Sequence, residues 1–410
     1  MVAGNRSPDI PRLVGPPTLT WLFAAMLAMA GCGQKVPTFG ELTGQTKPDA
    51  APAAPTAPPP AMAAPPQAHA APAGPIPEEV IAAFNQLQPS DIEDGAVQQL
   101  LNLPSGLQAI SDLELGGSKV TSAGLAGIEK LPNLKKLDVA GTVVDDAGLA
   151  HIGKSATLEE LHLSRTKVTA HGLSQLPNIK TLGKLVLEDS QVDLAGWVAI
   201  GNIQSLRTLH VSRSGLTDEA CQYVGNLVDL EDLAINQVGV SDAGIMQLKR
   251  LTKLKHLLMA HTVAQGEGLL AMAKAGAFKN LESLVLYAAP LTDPAGKAIM
   301  QMKNLRRLNL GTTNLKDRDM AIMRGMTQLR NLELGNIQTI DGSGFAMLQG
   351  CKYLERIDFA NCRGVGDKSL LLLKNLKTLQ EVVAGGSSVT EQGAQALKKF
   401  IPDCKVGAGQ

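Results

Sequence analysis

From Ile110 onward, apolar residues recur in the pattern L-x-x-L-x-L, with first positions at Ile110, Leu134, Leu158, Leu182, Leu206, Leu230, Leu254, Leu281, Leu305, Leu329, Leu354 and Leu379. The eleven intervals are 24 residues six times, then 27, 24, 24, 25 and 25. A period this regular marks stacked structural units, each depending on its neighbours to bury its apolar face. Within residues 158–179 (LEELHLSRTKVTAHGLSQLPNI), positions 1, 4 and 6 are apolar, as in a short strand. Positions 16, 19 and 22 are apolar again, and their three-residue spacing fits a short helix after a turn. Asp, Ser or Thr at positions 12 and 13, as in Thr217-Asp218 and Ser241-Asp242, is placed to cap that helix.

Other positions have separate work. Position 9 is small or hydrogen-bonding in most units (Ser118, Thr142, Thr166, Ser214, Cys362), so a ladder of hydroxyls is expected to satisfy backbone groups buried in the turn. Trp197 and Cys221 occupy position 16, where other units have Leu, and both are read as core. Alternation along the strand turns positions 3, 5, 7 and 8 toward one open face. On that face, units three to five bring charges at positions 7 and 8, with Arg165, Glu188, Asp189 and Arg213 expected as a lateral ladder. In units seven and eight, Leu258, Val285 and Tyr287, with Ala260 and Ala288, form its most apolar part and a candidate contact site.

LDVAGTVVDDAGL (137–149), LAINQVGVSDAGI (233–245) and IDFANCRGVGDKSL (357–370) resemble leucine-rich repeats, and specifically the cysteine-containing subclass of F-box proteins and many bacterial proteins. The resemblance covers residues 110–403. It implies an α/β fold, a curved leucine-rich repeat solenoid with a parallel sheet on its concave side and short helices on its convex side. It brings no catalytic residues.

The ends differ from the repeats. Thr18 to Ala30 runs 13 residues without a charge, the length of a signal h-region and short of the ~20 apolar residues that span a bilayer. Leu27-Ala28-Met29-Ala30-Gly31-Cys32 resembles the bacterial lipobox, although Met29 stands where that motif usually has Leu. The resemblance implies cleavage before Cys32 and acylation there. A rival small-x-small site, Ala28-Met29-Ala30, allows cleavage after Ala30 and release as a soluble protein. The expected organisation is a signal peptide over 1–31, a lipid-anchored Pro/Ala-rich disordered linker over 32–77 and an N-terminal helical cap over 78–109. The repeats then run over 110–403, and a truncated strand and tail over 404–410.

Composition narrows the function. Lys plus Arg is 38 and Asp plus Glu is 38, a balance that argues against a general nucleic-acid binder. His162, His210, His256 and His261 fall at strand or post-strand positions, which invites a metal reading. His162 and His210 lie two units apart, however, about 9–10 Å at the usual ~4.8 Å strand spacing, too far to share a zinc ion. No Cys-x-x-Cys, P-loop or Ser/His/Asp arrangement stands out. No metal, cofactor or catalytic residue is therefore expected. The leading reading is a non-enzymatic cell-envelope scaffold, lipid-anchored and extracytoplasmic, that binds a protein or cell-surface polymer through the concave face. The alternatives are an F-box-like ubiquitin-ligase substrate receptor and a secreted hydrolase.

The anchor is directly testable: the wild-type protein is expected to partition into the detergent phase, and Cys32→Ser to lose its lipid. Aqueous partitioning of unmodified wild type excludes the assignment.

Overall fold

The computed structural model describes residues 77–407. The segment expected as a signal peptide, Cys32 and the Pro/Ala-rich stretch up to residue 76 lie outside the described residues.

Thirteen three-residue strands form one open parallel sheet in strict chain order. They are β1 (Asp112–Glu114), β2 (Lys136–Asp138), β3 (Glu160–His162), β4 (Lys184–Val186), β5 (Thr208–His210), β6 (Asp232–Ala234) and β7 (His256–Leu258), followed by β8 (Ser283–Val285), β9 (Arg307–Asn309), β10 (Asn331–Glu333), β11 (Arg356–Asp358), β12 (Glu381–Val383) and β13 (Lys405–Gly407). The register is set by the repeat: Leu113 lies beside Leu137, Leu137 beside Leu161, and so on through Val382 beside Val406. Each strand holds positions 3 to 5, and the Leu at positions 1, 4 and 6 are buried along the whole stack.

Opposite the sheet lie two helices ahead of the repeats, α1 (Pro77–Phe84) and α2 (Asp94–Leu101), and then the helices of the units: α3 (Asp146–Ile152), α4 (Ala170–Leu173), α5 (Leu194–Gly201), α6 (Cys221–Val224), α7 (Asp242–Gln247), α8 (Glu267–Lys274), α9 (Asp293–Ile299), α10 (Asp367–Leu370) and α11 (Glu391–Lys398). Three units depart from the expected α-helix and carry 3-10 helix instead, over Ile128–Lys130, Asp317–Gly325 and Ser343–Gly350. The apolar spacing of three is itself the 3-10 period, which puts positions 16, 19 and 22 on one line facing the sheet. Strands repeat every ~4.8 Å while helices need ~8–10 Å between axes, so the sheet side is the concave one. Phe84, Val97, Leu100 and Leu101 of α1 and α2 join the same continuous core.

Two devices tie neighbouring units together, the first along the whole stack and the second at those junctions where an aspartate stands in place. First, backbone hydrogen bonding outlasts the strand: position 6 donates to position 5 of the following unit (Leu115 N to Asp138 O, 2.7 Å), and position 8 to its position 7 (Gly117 N to Ala140 O, 2.7 Å). To do so position 8 turns left-handed in all twelve units, with φ between 53° and 73°. Nine of these residues are not glycine, among them Arg165, Asp189, Arg213 and Thr312.

Second, the position-13 carboxylate reaches forward. Asp146 accepts the Thr169 N–H (2.7 Å) and hydroxyl (2.5 Å), and Asp218 does the same for Ser241 (2.7 and 2.5 Å). Thr169 and Ser241 are in turn the N-caps of α4 and α7. The capping expected within a unit is thus split between two: position 12 caps its own helix, and position 13 fixes the next unit's cap. Asp94 of α2 clamps Thr121 identically (2.7 and 2.6 Å), so the N-terminal helices imitate a preceding unit.

The position-9 hydroxyls bond as the sequence implies. Thr142, Thr262 and Thr313 each donate to the carbonyl three residues back, at 2.7, 3.1 and 2.6 Å. Cys362 fills the place with its thiol on Leu334 O, 3.2 Å away in the preceding unit. Trp197 is 1% exposed, in the core, and its indole N–H has no partner.

The left-handed turn can be tested where space is not limiting. At Gly141 (φ 71°) an added Cβ meets nothing closer than 3.7 Å, so Gly141→Val charges the protein only for backbone strain, about 1–2 kcal/mol. Urea unfolding is expected to show that loss, and Thr312→Gly to show no loss or a small gain. Equal midpoints for Gly141→Val and wild type would show that the turn is unstrained.

Candidate functional site

Positions 3, 5 and 7 line the concave face, crowded by equivalent residues on both neighbouring strands. Position 8 does not share it in the way alternation implies, because the left-handed turn ends the strand pattern there. Arg165, Asp189 and Arg213 stand on the exposed turn at the strands' exit. This corrects their assignment to the strand face.

Of the four charges expected as a ladder, the structure joins two. The Arg213 guanidinium grips the Asp189 carboxylate through two nitrogens, one of them Nη2 to Oδ2 at 2.9 Å, and its Nη1 donates to Gln237 Oε1 at 3.2 Å. That hydrogen bond, working against partial burial, holds the Asp189 carboxyl below the usual range, and the same pairing raises Arg213. Arg165 adds its charge from one unit away without forming an ion pair. Glu188 points from position 7, where its backbone N–H donates to Ser164 Oγ (3.0 Å) and its carboxylate forms no ion pair among the described residues. Exposed pairs of this kind are worth about 0.2–1 kcal/mol each.

The apolar group is more buried than its sequence positions imply. Val285 is only 5% exposed, held between Leu258 of β7 and Asn309 of β9, and this corrects its reading as an exposed contact residue. A side chain at the middle of a concave sheet loses surface to both neighbours. Leu258 and Tyr287 remain half-exposed. The Tyr287 ring meets His261 edge-on (centroids 5.4 Å, 64°) and leans over Gly311, where an added Cβ would lie 3.0 Å from the ring. Glycine at position 7 of the next unit is what lets the ring lie down. The aromatic is thereby ordered before any partner arrives.

A third feature, absent from the sequence reading, occupies units one to four. His162 lies between two carboxylates, Nε2 to Glu160 Oε1 at 2.6 Å and Nδ1 to Asp138 Oδ2 at 3.6 Å. Lys184 adds a 2.9 Å bond to Glu160, and Lys136 a 2.6 Å bond to Glu114. His162 is therefore a member of a polar network across three strands. Burial works against the charge on Asp138 and Glu160, but hydrogen bonds from His162, the Ala140 N–H and Lys184 outweigh it and lower both. Carboxylates lowered in the folded state contribute stability above their unfolded pKa, and that contribution is lost as pH falls through the folded value. His210 pairs separately with Asp232 (3.3 Å). The signal was present in the columns: position 3 reads Lys136, Glu160, Lys184 across adjacent strands, an alternation visible only when units are compared side by side.

The four cysteines among the described residues, Cys221, Cys351, Cys362 and Cys404, are withdrawn from the surface. Burial pushes the Cys221 thiol up to about 12 and the other three to about 11. Among the described residues no group of three or more His, Cys, Asp or Glu is arranged to hold a metal ion. Two surface recesses, of about 400 and 210 Å³, lie at the strand-start edge, one beside Phe400 and Gln380 and one beside Asn280 and Arg306.

Fold and face together define an open parallel-sheet solenoid with a preorganised polar and aromatic surface. The leucine-rich repeat region profile matches residues 97–380, and the chain belongs to the leucine-rich repeat family. No curated protein matches it. Similar solved structures include an internalin (inlF) of Listeria monocytogenes, 20% identical over 82% of this chain and 95% of that one, TM-score 0.55. Another is the yeast Rad7 and Elc1 complex, 16% identical over 81% and 92%, TM-score 0.53. A leucine-rich repeat protein of Leptospira interrogans is 18% identical over 80% and 98%, TM-score 0.47. At these identities the likeness is one of fold.

The thiol environments lead to a simple measurement. At pH 8 the thiolate fraction of the four buried cysteines is negligible, so none is expected to react with a disulfide reagent in the native protein and all four on unfolding. Native labelling at Cys221 would show that its burial is not maintained in solution.

Proposed function

We propose that this protein is a non-enzymatic binding scaffold of the cell envelope, held at a membrane through a lipid on Cys32, whose concave face engages a protein partner. The observation that carries the reading is Tyr287. It is the one aromatic residue at positions 3, 5, 7 or 8 of the twelve units, half-exposed and held in place by His261 and Gly311. Ordered aromatic side chains with apolar neighbours are the usual anchors of protein interfaces, because little conformational entropy remains to be lost on binding. Leu258 extends the apolar area. Asp189 and Arg213, already neutralising one another, suit orientation more than affinity.

The ubiquitin-ligase alternative is not favoured, since the helices ahead of the repeats are spent covering the core of the first unit. Surface-polymer binding is the competing outcome of the same experiment.

Capture of a native partner by Tyr287→Ala is expected to weaken by about 1–3 kcal/mol with unchanged melting, while Arg213→Glu mainly alters salt dependence. Gln222→Ala, exposed on α6, is the control. If the control weakens capture as much as Tyr287→Ala, or if the captured material is polysaccharide, the protein-binding reading of the concave face fails.

A further inference from the structure

The charges that pair off on the concave face are unpaired along one flank. In units six to twelve, the later part of each helical segment and its connection to the next strand cover residues 245–253, 269–280, 296–304, 320–328, 344–353, 370–378 and 394–402. These seven stretches hold eleven Lys, two Arg and no Asp or Glu. Only Lys253 has a carboxylate partner among the described residues, Asp229 at 2.5 Å, and all but Lys398 are exposed. On the opposite flank of the same units, residues 238–244, 262–268, 289–295, 313–319, 337–343, 362–369 and 387–393 hold eight acidic and four basic side chains. A chain of zero net charge is thus polarised across its width.

Helix dipoles explain part of this, because cations are favoured in last turns, as at Lys274 and Lys398. They do not explain Lys279, Lys303, Lys352 and Lys377, which all lie beyond the helical segments, two residues before position 1. Neighbouring connections are laced together there, with Asn304 Nδ2 donating to Lys279 O (2.6 Å) and Thr378 Oγ1 to Lys352 O (3.0 Å). The lysines therefore share one column of the stack, interrupted by Thr327 between Lys303 and Lys352. Interspersed in the same stretches are four of the large exposed hydrophobic residues: Met246 (39%), Met300 (49%), Tyr353 (49%) and Phe400 (46%). Lys374 Nζ lies 5.5 Å from the Phe400 ring centroid.

We infer that this flank is a docking surface for a bilayer containing anionic lipid. The complementarity is of charge and form together. Lysines that outnumber arginines, spread along an outer edge, suit a diffuse negative plane better than bidentate reading of single phosphates. Isolated Met, Tyr and Phe side chains between them suit shallow insertion at the headgroup boundary. A duplex or single-stranded nucleic acid is the less favoured partner, because the two recesses on this flank are separate and carboxylates line both, Glu355 and Asp403 in one and Glu282 in the other, and it carries no succession of stacked aromatics. The inference goes beyond the proposed function and does not depend on acylation of Cys32, since it uses only residues 245–402.

The test uses the full chain and vesicles of phosphatidylcholine alone or with about one-third phosphatidylglycerol. Wild type and variants share the same N-terminal segment, so the difference between the two vesicles, compared across the variants, is the readout. Wild type is expected to prefer the anionic vesicles, with a preference that falls as salt rises. Lys279→Glu, Lys303→Glu and Lys352→Glu together are expected to lower that preference by about tenfold or more. Lys136→Glu with Lys184→Glu, on the concave face, leaves it unchanged. Phe400→Ala lowers anionic-vesicle binding without lowering its salt sensitivity. If the triple reversal alters melting, Lys→Gln at the same three positions replaces it, with a smaller loss expected. Equal binding of wild type to both vesicles, or an undiminished preference in the variants, overturns the inference. So does tight binding to duplex DNA in the absence of any vesicle preference.

Discussion

Three residues of strand cannot stand alone, and every other feature of this chain follows from that. Each strand has only its neighbours for hydrogen-bonding partners, so the ladder must be extended as far as the backbone allows. The left-handed residue at position 8 does this, turning one more N–H toward the following unit at a cost of about 1–2 kcal/mol wherever it is not glycine. Nine units accept that cost in place of glycine, and several place a functional-looking side chain there: Arg165, Asp189, Arg213, His261. Strain and surface chemistry are therefore concentrated on the same column of residues.

The forward clamp by the position-13 aspartates has the same logic on the opposite side of the molecule. A helix of four residues, such as α4, has almost no internal hydrogen bonding, and its N-cap is fixed by Asp146 from the unit before. Sheet and helix layers are each set by the preceding unit, so disturbance at one unit is passed along the stack.

Much of this was legible in sequence because period and burial are coupled. A Leu repeated at positions 1, 4 and 6 has only one way to be buried in twelve consecutive units, and the strands fall where that pattern places them. The face was less legible, for three separate reasons. Alternation assigns position 8 to the strand face, but left-handed backbone removes it, and no single unit with Arg or Asp there announces a positive φ. Exposure at position 5 depends on the two flanking strands, so Val285 disappears between Leu258 and Asn309 although its own unit marks it as outward. The His162 network is read across units, from Asp138 through Glu160 to Lys184, and a scan along the chain separates those residues by 22 or 24 positions. Trp197 was legible as core but not its unpartnered indole N–H, which depends on what surrounds it in three dimensions.

The zero net charge conceals the most consequential distribution. On the concave face, acids and bases alternate from strand to strand and neutralise one another at 2.6 to 3.6 Å, which leaves shape and the ordered Tyr287 as the means of discrimination. On the flank, the lysines other than Lys253 form no ion pair among the described residues and repel one another. Helix dipoles favour the cations in last turns, such as Lys274 and Lys398, but offer nothing to Lys279, Lys303, Lys352 and Lys377 beyond the helical segments. The proposed negative surface would offset that repulsion at six of the seven units through Lys and at the ninth through Arg324. The two proposed roles make opposite demands, selection on a neutral and rigid surface and adhesion on a charged one. A solenoid accommodates both because successive positions of one 24-residue unit face different directions.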